Sequence, residues 1–292
     1  MVSLRSPYAG GDDSQWLRGN LHTHTDRSDG ELALTEVVDT YESEGYDFLA
    51  ISDHNILFDP DTHQSETSLL LLGGVEVSTN DGHLLYAGAS ERPSAGDHVQ
   101  TTLDTVGAGP GLGILAHPNW NRDHYPTDRL ARLQGYAGIE IFNVSCVDDD
   151  GRADATEHWD RLLSAGRRPW GFATDDSHRP GQVARAWTSV QVDERTPEAV
   201  LRSLRTGRFY ASTGVRITDV SFEDGLLTVA TESADQMTVV TDGGRRGRSI
   251  DDSVGTFEFP TDLPIDDPSY VRVACFGTGD DRAWTQPLTN HA

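Results

Sequence analysis

The chain of 292 residues is long enough for one large α/β unit and a smaller appendage. It carries 47 acidic against 23 basic residues, a net charge of −24 at pH 7, and it contains no lysine. That balance disfavours an extended nucleic-acid surface driven by counterion release, and with no apolar run of eighteen or more residues nothing argues for membrane insertion.

Asp and Glu are spread along the whole chain rather than gathered in one block, which reads as a haloadaptive (halophilic) surface: at molar salt the Debye length is only ~3 Å and self-repulsion is screened. The start MVSLRSPYAGGDD has no hydrophobic run of the signal-peptide kind, so a cytoplasmic location is expected by default. Cys146 and Cys275 form no CxxC and read as buried small hydrophobes.

Residues 1–15 read as a flexible N-terminal arm. Strands are predicted at about 17–24, 48–54, 69–78, 83–88, 112–117, 138–143, 169–175 and 186–192. Apolar residues at helical spacing mark LTEVVDTYESEGY (34–46), DATEHWDRLLSAGRRP (154–169) and TPEAVLRSLRTGR (196–208). Gly45 suits the end of the first; the last has Thr196 as N-cap, Pro197 at its first position and Gly207 at its end. Strands alternating with helices predict a largely parallel sheet, open or closed into a barrel, over 16–215. Beyond it, LLTVAT, QMTVVTD and YVRVACF, separated by EDG, DGG and GTGDD, predict a small β-sandwich-like domain at 216–292.

The predicted strands of the first domain end on metal-ligand chemistry. His22 and His24 alternate in GNLHTHTDRSDG, so on an extended strand both imidazoles share one face. Other strand ends carry Asp53 and His54 (FLAISDH), Glu76 (LLGGVEVS), His83, His117 (GILAHP), and Asp176 and His178 (GFATDDSH). The carboxyl ends of parallel strands share one rim, so these groups converge. Mixed imidazole and carboxylate donors suit zinc, manganese or iron in a catalytic site. Several polar groups at the buried ends of apolar strands, at roughly 1–3 kcal/mol each if unpartnered, need a common explanation, and a metal cluster supplies it.

GNLHTHTDRSDG, AISDHN, GVEVSTNDGH, LAHP and DDSH, in that order and spacing, resemble the successive motifs of the PHP (polymerase and histidinol phosphatase) superfamily over about 17–215. The resemblance implies a distorted seven-stranded β/α, TIM-like barrel with two or three divalent metals at its carboxyl rim. WLRGNLHTHT, ATDDSH and RAWTQP resemble, more weakly, the branch of carbaryl-hydrolase-like metallohydrolases. Carried over by motif, His22, His24, Glu76 and Asp176 are ligands of a first metal. Glu76 bridges to a second with His83 and His117, and Asp29, His54 and His178 form a third cluster. Other branches carry histidine in place of Asp29. Asp53 is expected to orient an imidazole, Asp175 to support the site or the fold, and His178 or Asp29 to carry a proton.

Glu140 and Asn143 in GIEIFN could touch substrate or serve structural hydrogen bonds, and Arg27 and Arg185 could grip a phosphate or make surface ion pairs. His63, His98, His124, His158 and His291 fall outside the motifs, Asp148 to Asp150 read as a solvated loop, and DGGRRGRS (242–249) lacks the setting of a phosphate loop. The expected function is metal-dependent hydrolysis of a small phosphate mono- or diester, nucleotides not excluded, by a metal-bridging hydroxide. The alternatives are a carbamate or carboxyl ester hydrolase and a metal-stabilised binding scaffold.

Overall fold

The computed structural model describes residues 4–8, 14–94, 96–107, 109–120, 124–149 and 152–290. Asp150, His291 and part of the N-terminal segment lie outside these residues. The strands Gln15–Asn20, Phe48–Ala50 and Leu70–Leu72 pair in parallel, with Gly19 opposite Phe48 and Phe48 opposite Leu70. A second sheet holds Gly74–Thr79, Gly82–Ala87, Leu112–Leu115, Gly138–Asn143 and Trp170–Thr174 in that order. Its last three strands are parallel, but Gly74–Thr79 and Gly82–Ala87 form an antiparallel hairpin because only a short turn separates them.

The expected distorted seven-stranded barrel is not formed as a continuous ladder among the described residues. Along both seams the two sheets meet through isolated bridges, Thr23 with Ser177 and His54 with Glu76. The extended runs stop there because Asn55 (φ 58°) and Asp176 (φ 51°) take the left-handed conformation, which breaks the pleat. Backbone bonds still tie the ends: His24 N–H donates to Ser177 O at 3.0 Å, Asp176 N–H to His22 O at 2.9 Å and Glu76 N–H to Ser52 O at 3.0 Å. Those contacts bring residues 22–24, 52–54, 76 and 176–178 to one place.

The three expected helices form, at Leu34–Ser43, Thr156–Ser164 and Pro197–Thr206, each shorter than its sequence pattern. Thr196 Oγ1 accepts the Ala199 N–H at 3.2 Å, and Gly207 closes the last helix at φ 77°, a conformation that costs glycine little. Val37, Val38 and Tyr41 bury the inner face of the first helix against Leu49, Ile51 and Leu71. No helix among the described residues is long and apolar enough to cross a membrane.

Two further strands extend the first sheet. Trp187–Val192 runs antiparallel to Gln15–Asn20, and Phe209–Ser212 pairs with Trp187–Val192 on one side and Arg282–Thr285 on the other. The sheet therefore runs unbroken from the first region into residues after 215. There the three-stranded sheet Ile217–Glu223, Leu226–Thr231, Val254–Glu258 stacks on it through Val220, Leu227, Val229, Phe257, Met237, Val239 and Val273. Where it is described, the segment expected as a loose arm is docked. Leu4–Arg5 pairs with Leu288–Asn290, and the buried Tyr8 hydroxyl donates to Phe209 O at 2.8 Å. The short pairing supplies backbone partners and Tyr8 supplies burial, which together hold the segment against the sheet edge.

Candidate metal centre

His22 and His24 sit just past the strand Gln15–Asn20 and are fully buried. Their Nε2 atoms face the same two carboxylate oxygens. His22 Nε2 is 3.1 Å from Asp176 Oδ1 and 3.3 Å from Glu76 Oε2, and His24 Nε2 is at the same two distances. Glu76 then turns its other oxygen elsewhere: Oε1 is 3.0 Å from His83 Nδ1 and 3.1 Å from His117 Nε2. A third group forms around Asp29, with His54 Nε2 and His178 Nε2 each at 3.5 Å and His24 Nδ1 at 3.6 Å. All nine residues assigned by motif thus converge. Asp29 is the exposed member at 52% of its side chain, whereas His22, His24 and Glu76 are closed off.

The donor set fits divalent cations. His22 Nε2, Glu76 Oε2 and His117 Nδ1 are buried without a hydrogen-bond partner among the described residues. Leaving such atoms unpaired costs about 1–3 kcal/mol each, and a cation shared by His22 Nε2 and Glu76 Oε2 would satisfy those two. Four donor groupings lie within 4.8 Å, among them His22, His24, Glu76, Asp176 and His24, Asp29, His54, His178.

With protein groups alone, the site balances its charge with protons. Burial works against a charged His22, but Asp176, Glu76 and Glu140 outweigh it and hold the imidazole well above its ordinary range. The same contest pushes His24 up to about 9. Glu76 and Asp176 go the other way: burial disfavours their charge, yet His22 and the neighbouring imidazoles hold both below the usual carboxylate range. Burial lowers His54, aided by His24 and His83.

Glu140 and Asn143 do not line the cavity; they support those that do. Glu140 Oε1 lies 2.7 Å from His22 Nδ1 and accepts from Thr174 Oγ1, while Oε2 accepts the His117 N–H at 2.6 Å and Asn143 Nδ2 at 2.8 Å. Asn143 Nδ2 also reaches Asp176 Oδ2 at 3.1 Å.

Asp53 differs from expectation. It touches no imidazole: its carboxylate accepts the Thr25 N–H at 2.7 Å and the hydroxyls of Thr25 and Ser28 at 2.8 Å. It shapes the loop that carries Asp29, because the backbone between residues 25 and 28 turns over it and leaves its oxygens no free face. Asp175 likewise accepts the N–H groups of Ala184, Arg185 and Ala186 at 2.7–2.9 Å and the Tyr41 hydroxyl at 2.8 Å. Burial pushes its carboxyl up to about 6.

A cavity of about 350 Å³ opens over the cluster, lined by Asp29, His54, His83, His117 and His178 together with Trp120 and Arg179. Neither Arg27 nor Arg185 lines it; Arg185 Nη1 lies 3.6 Å from Asp148 Oδ1. Arg179 takes that place, tied to Asp148 Oδ2 at 3.2 Å, so Asp148 serves as an ion-pair partner within the helix Ser145–Asp149. No motif marks Arg179 or Trp120, although each lies within three residues of a motif histidine. His124, outside the motifs as well, is also close: its ring centroid is 5.3 Å from that of His83 and 5.1 Å from that of His117. Burial, with His117 and His83 beside it, lowers His124 to about 3. His63 stays apart, stacked on Phe58 and 3.1 Å from Glu66.

A family described as PHP-associated matches residues 171–209. No curated protein matches the chain. Among solved structures, a two-domain protein from Bacteroides vulgatus containing a predicted PHP-like metal-dependent phosphoesterase is similar with a TM-score of 0.57 and 17% identity, over 95% of each chain. That likeness extends to the whole fold. An amidohydrolase from Chromobacterium violaceum (TM-score 0.40, 17% identity, 56% of this chain and 88% of that one) is more distant. So is the lesion-specific endonuclease PfuEndoQ from Pyrococcus furiosus (TM-score 0.46, 14% identity, 65% of this chain and 56% of that one).

Proposed function

We propose that the chain is a metal-dependent phosphoesterase of the PHP superfamily that hydrolyses a small phosphate mono- or diester. The observation that carries this reading is Glu76, one buried carboxylate whose two oxygens face separate sets of imidazoles, His22, His24 and His54 at Oε2 and His83 and His117 at Oε1. A carboxylate so placed fits a bridge between two cations. His22, His24, Glu76 and Asp176 would hold the first and Glu76, His83 and His117 the second; Asp29, His54 and His178 would hold a third. Manganese, zinc and iron all suit these donors.

Bound divalent cations supply stabilisation of phosphoryl charge and lower the pKa of nearby water. The chain's own groups do the rest. Arg179 offers planar N–H pairs to phosphate oxygens at the cavity edge, and its tie to Asp148 limits its swing. Trp120 gives the leaving group an apolar wall and keeps water from one side of the cavity. His178 Nδ1 donates to the Asp176 carbonyl at 2.8 Å, which leaves Nε2 as the nitrogen free to hold a cation or move a proton. Asp29, half exposed beside it, is the second group able to carry that proton. The likeness of the whole fold to a protein containing a predicted phosphoesterase, and the PHP-associated match across Asp176, His178 and Arg179, support the same reading.

The test is a comparison of aryl phosphates with aryl esters, with manganese, zinc or iron(II) added in high salt. Phosphate release is expected. Turnover of the aryl ester alone would replace this reading with a carboxyl or carbamate ester hydrolase, and silence on both would favour a binding scaffold.

A further inference from the structure

Between Gly74–Thr79 and Gly82–Ala87 the chain turns through Asn80 and Asp81 and delivers His83 to Glu76. Three side chains from residues 124–129 grip that turn. His124 Nε2 accepts the His83 N–H at 3.1 Å, and the Tyr125 hydroxyl donates to the His83 carbonyl at 2.8 Å. Arg129 Nη2 pairs with Asp81 Oδ2 at 2.8 Å, and Nη1 donates to the Asp81 carbonyl. Gly82, at φ 153°, leaves room for the Tyr125 hydroxyl, with which a Cβ would collide.

On distance alone His124 is a ligand, since its donor atom and those of His83 and His117 all lie within 4.8 Å of one another. The hydrogen bond argues otherwise. A neutral imidazole has one lone-pair nitrogen, and here Nε2 uses it to accept the His83 N–H, which places the proton on Nδ1. His124 also stands behind the wall that His83, His117 and Trp120 present to the cavity. We propose that His124 is a positioning residue that fixes the His83 backbone, so that the His83 imidazole meets Glu76, and that it acts on cation affinity only through His83. The proposal rests on reading the cluster as a metal centre.

The metal-stripped full chain is titrated with cobalt(II), followed by calorimetry and visible absorption, for wild type, His124→Gln and His124→Phe. Glutamine keeps an oxygen in reach of the same N–H; phenylalanine keeps bulk without an acceptor. His124→Phe is expected to weaken one cation by ~10–100-fold, as loss of a group that orients a ligand does, and to leave the others unchanged. His124→Gln should recover affinity close to wild type. Wild-type affinity in His124→Phe would overturn the proposal. So would a loss in His124→Gln equal to that in His124→Phe with an altered cobalt spectrum, which would make His124 a ligand. If wild type takes up no cobalt, the metal-centre reading itself fails and the proposal with it. Circular dichroism checks folding. Should His124→Phe not fold, Tyr125→Phe removes the second bond to the His83 backbone and is expected to weaken the same cation, and an unchanged affinity there would overturn the proposal equally.

Discussion

Glu140 Oε1 lies 2.7 Å from His22 Nδ1, both side chains fully buried, so the nitrogen of His22 that does not face Glu76 and Asp176 is already taken. That contact sets the ring's orientation and leaves Nε2 for a cation. Glu140→Gln keeps the shape but turns an amide N–H toward one of four donors. It is expected to weaken the first cation by ~10–100-fold and leave the Asp29 group's cation in place. Calorimetric titration with manganese measures this, and an unchanged first affinity would contradict the orienting role.

Glu76→Gln removes the charge that faces five imidazoles and should cost at least one cation and nearly all turnover. His63→Gln, which alters a surface pair with Glu66, should leave both near wild type. Metal analysis beside a phosphate-release assay compares the two. Full occupancy and rate in Glu76→Gln, or equal loss in His63→Gln, would end the ligand assignment.

Cation binding should release protons. In the protein alone His22 and His117 are held above the ordinary imidazole range and His24 at about 9, so a cation must displace their protons. Affinity therefore rises as pH increases toward about 9 and falls on acidification, when the imidazoles hold their protons against the cation. Titration in two buffers of different ionisation enthalpy counts the protons. A heat independent of buffer, with affinity flat between pH 6 and 8, is the result this account does not allow.

With a net charge of −24, salt is expected to stabilise the fold. Self-repulsion acts over ~30 Å at 0.01 M salt and over ~3 Å at 1 M, so the thermal midpoint should climb across that range. A flat or falling midpoint in thermal scans would refute haloadaptation.

How much of this was legible in sequence differs between elements. The helix Pro197–Thr206 was readable because Thr196, Pro197 and Gly207 each act within one turn of their own position. The barrel was not, because closure depends on whether strand edges far apart in sequence meet in register, and left-handed residues such as Asp176 end the ladder early. The continuity of the sheet from Phe209–Ser212 into Arg282–Thr285 likewise depends on a pairing across about seventy residues of chain, which no local pattern encodes.

The sequence by itself determined the chemistry: which strand ends carry imidazole and carboxylate, and the alternation that puts His22 and His24 on one side. Only the tertiary structure decided the division of labour among neighbours of similar type. Asp53 holds a loop while Asp176 faces the imidazoles; Arg179 lines the cavity while Arg27 does not; Glu140 backs His22, and His124 backs His83. The reason is that residue type and strand period fix what a group can do and which face it takes. Which partner it meets within 3 Å is set by the packing of distant segments, where a single hydrogen bond commits a nitrogen or a carboxylate to one role.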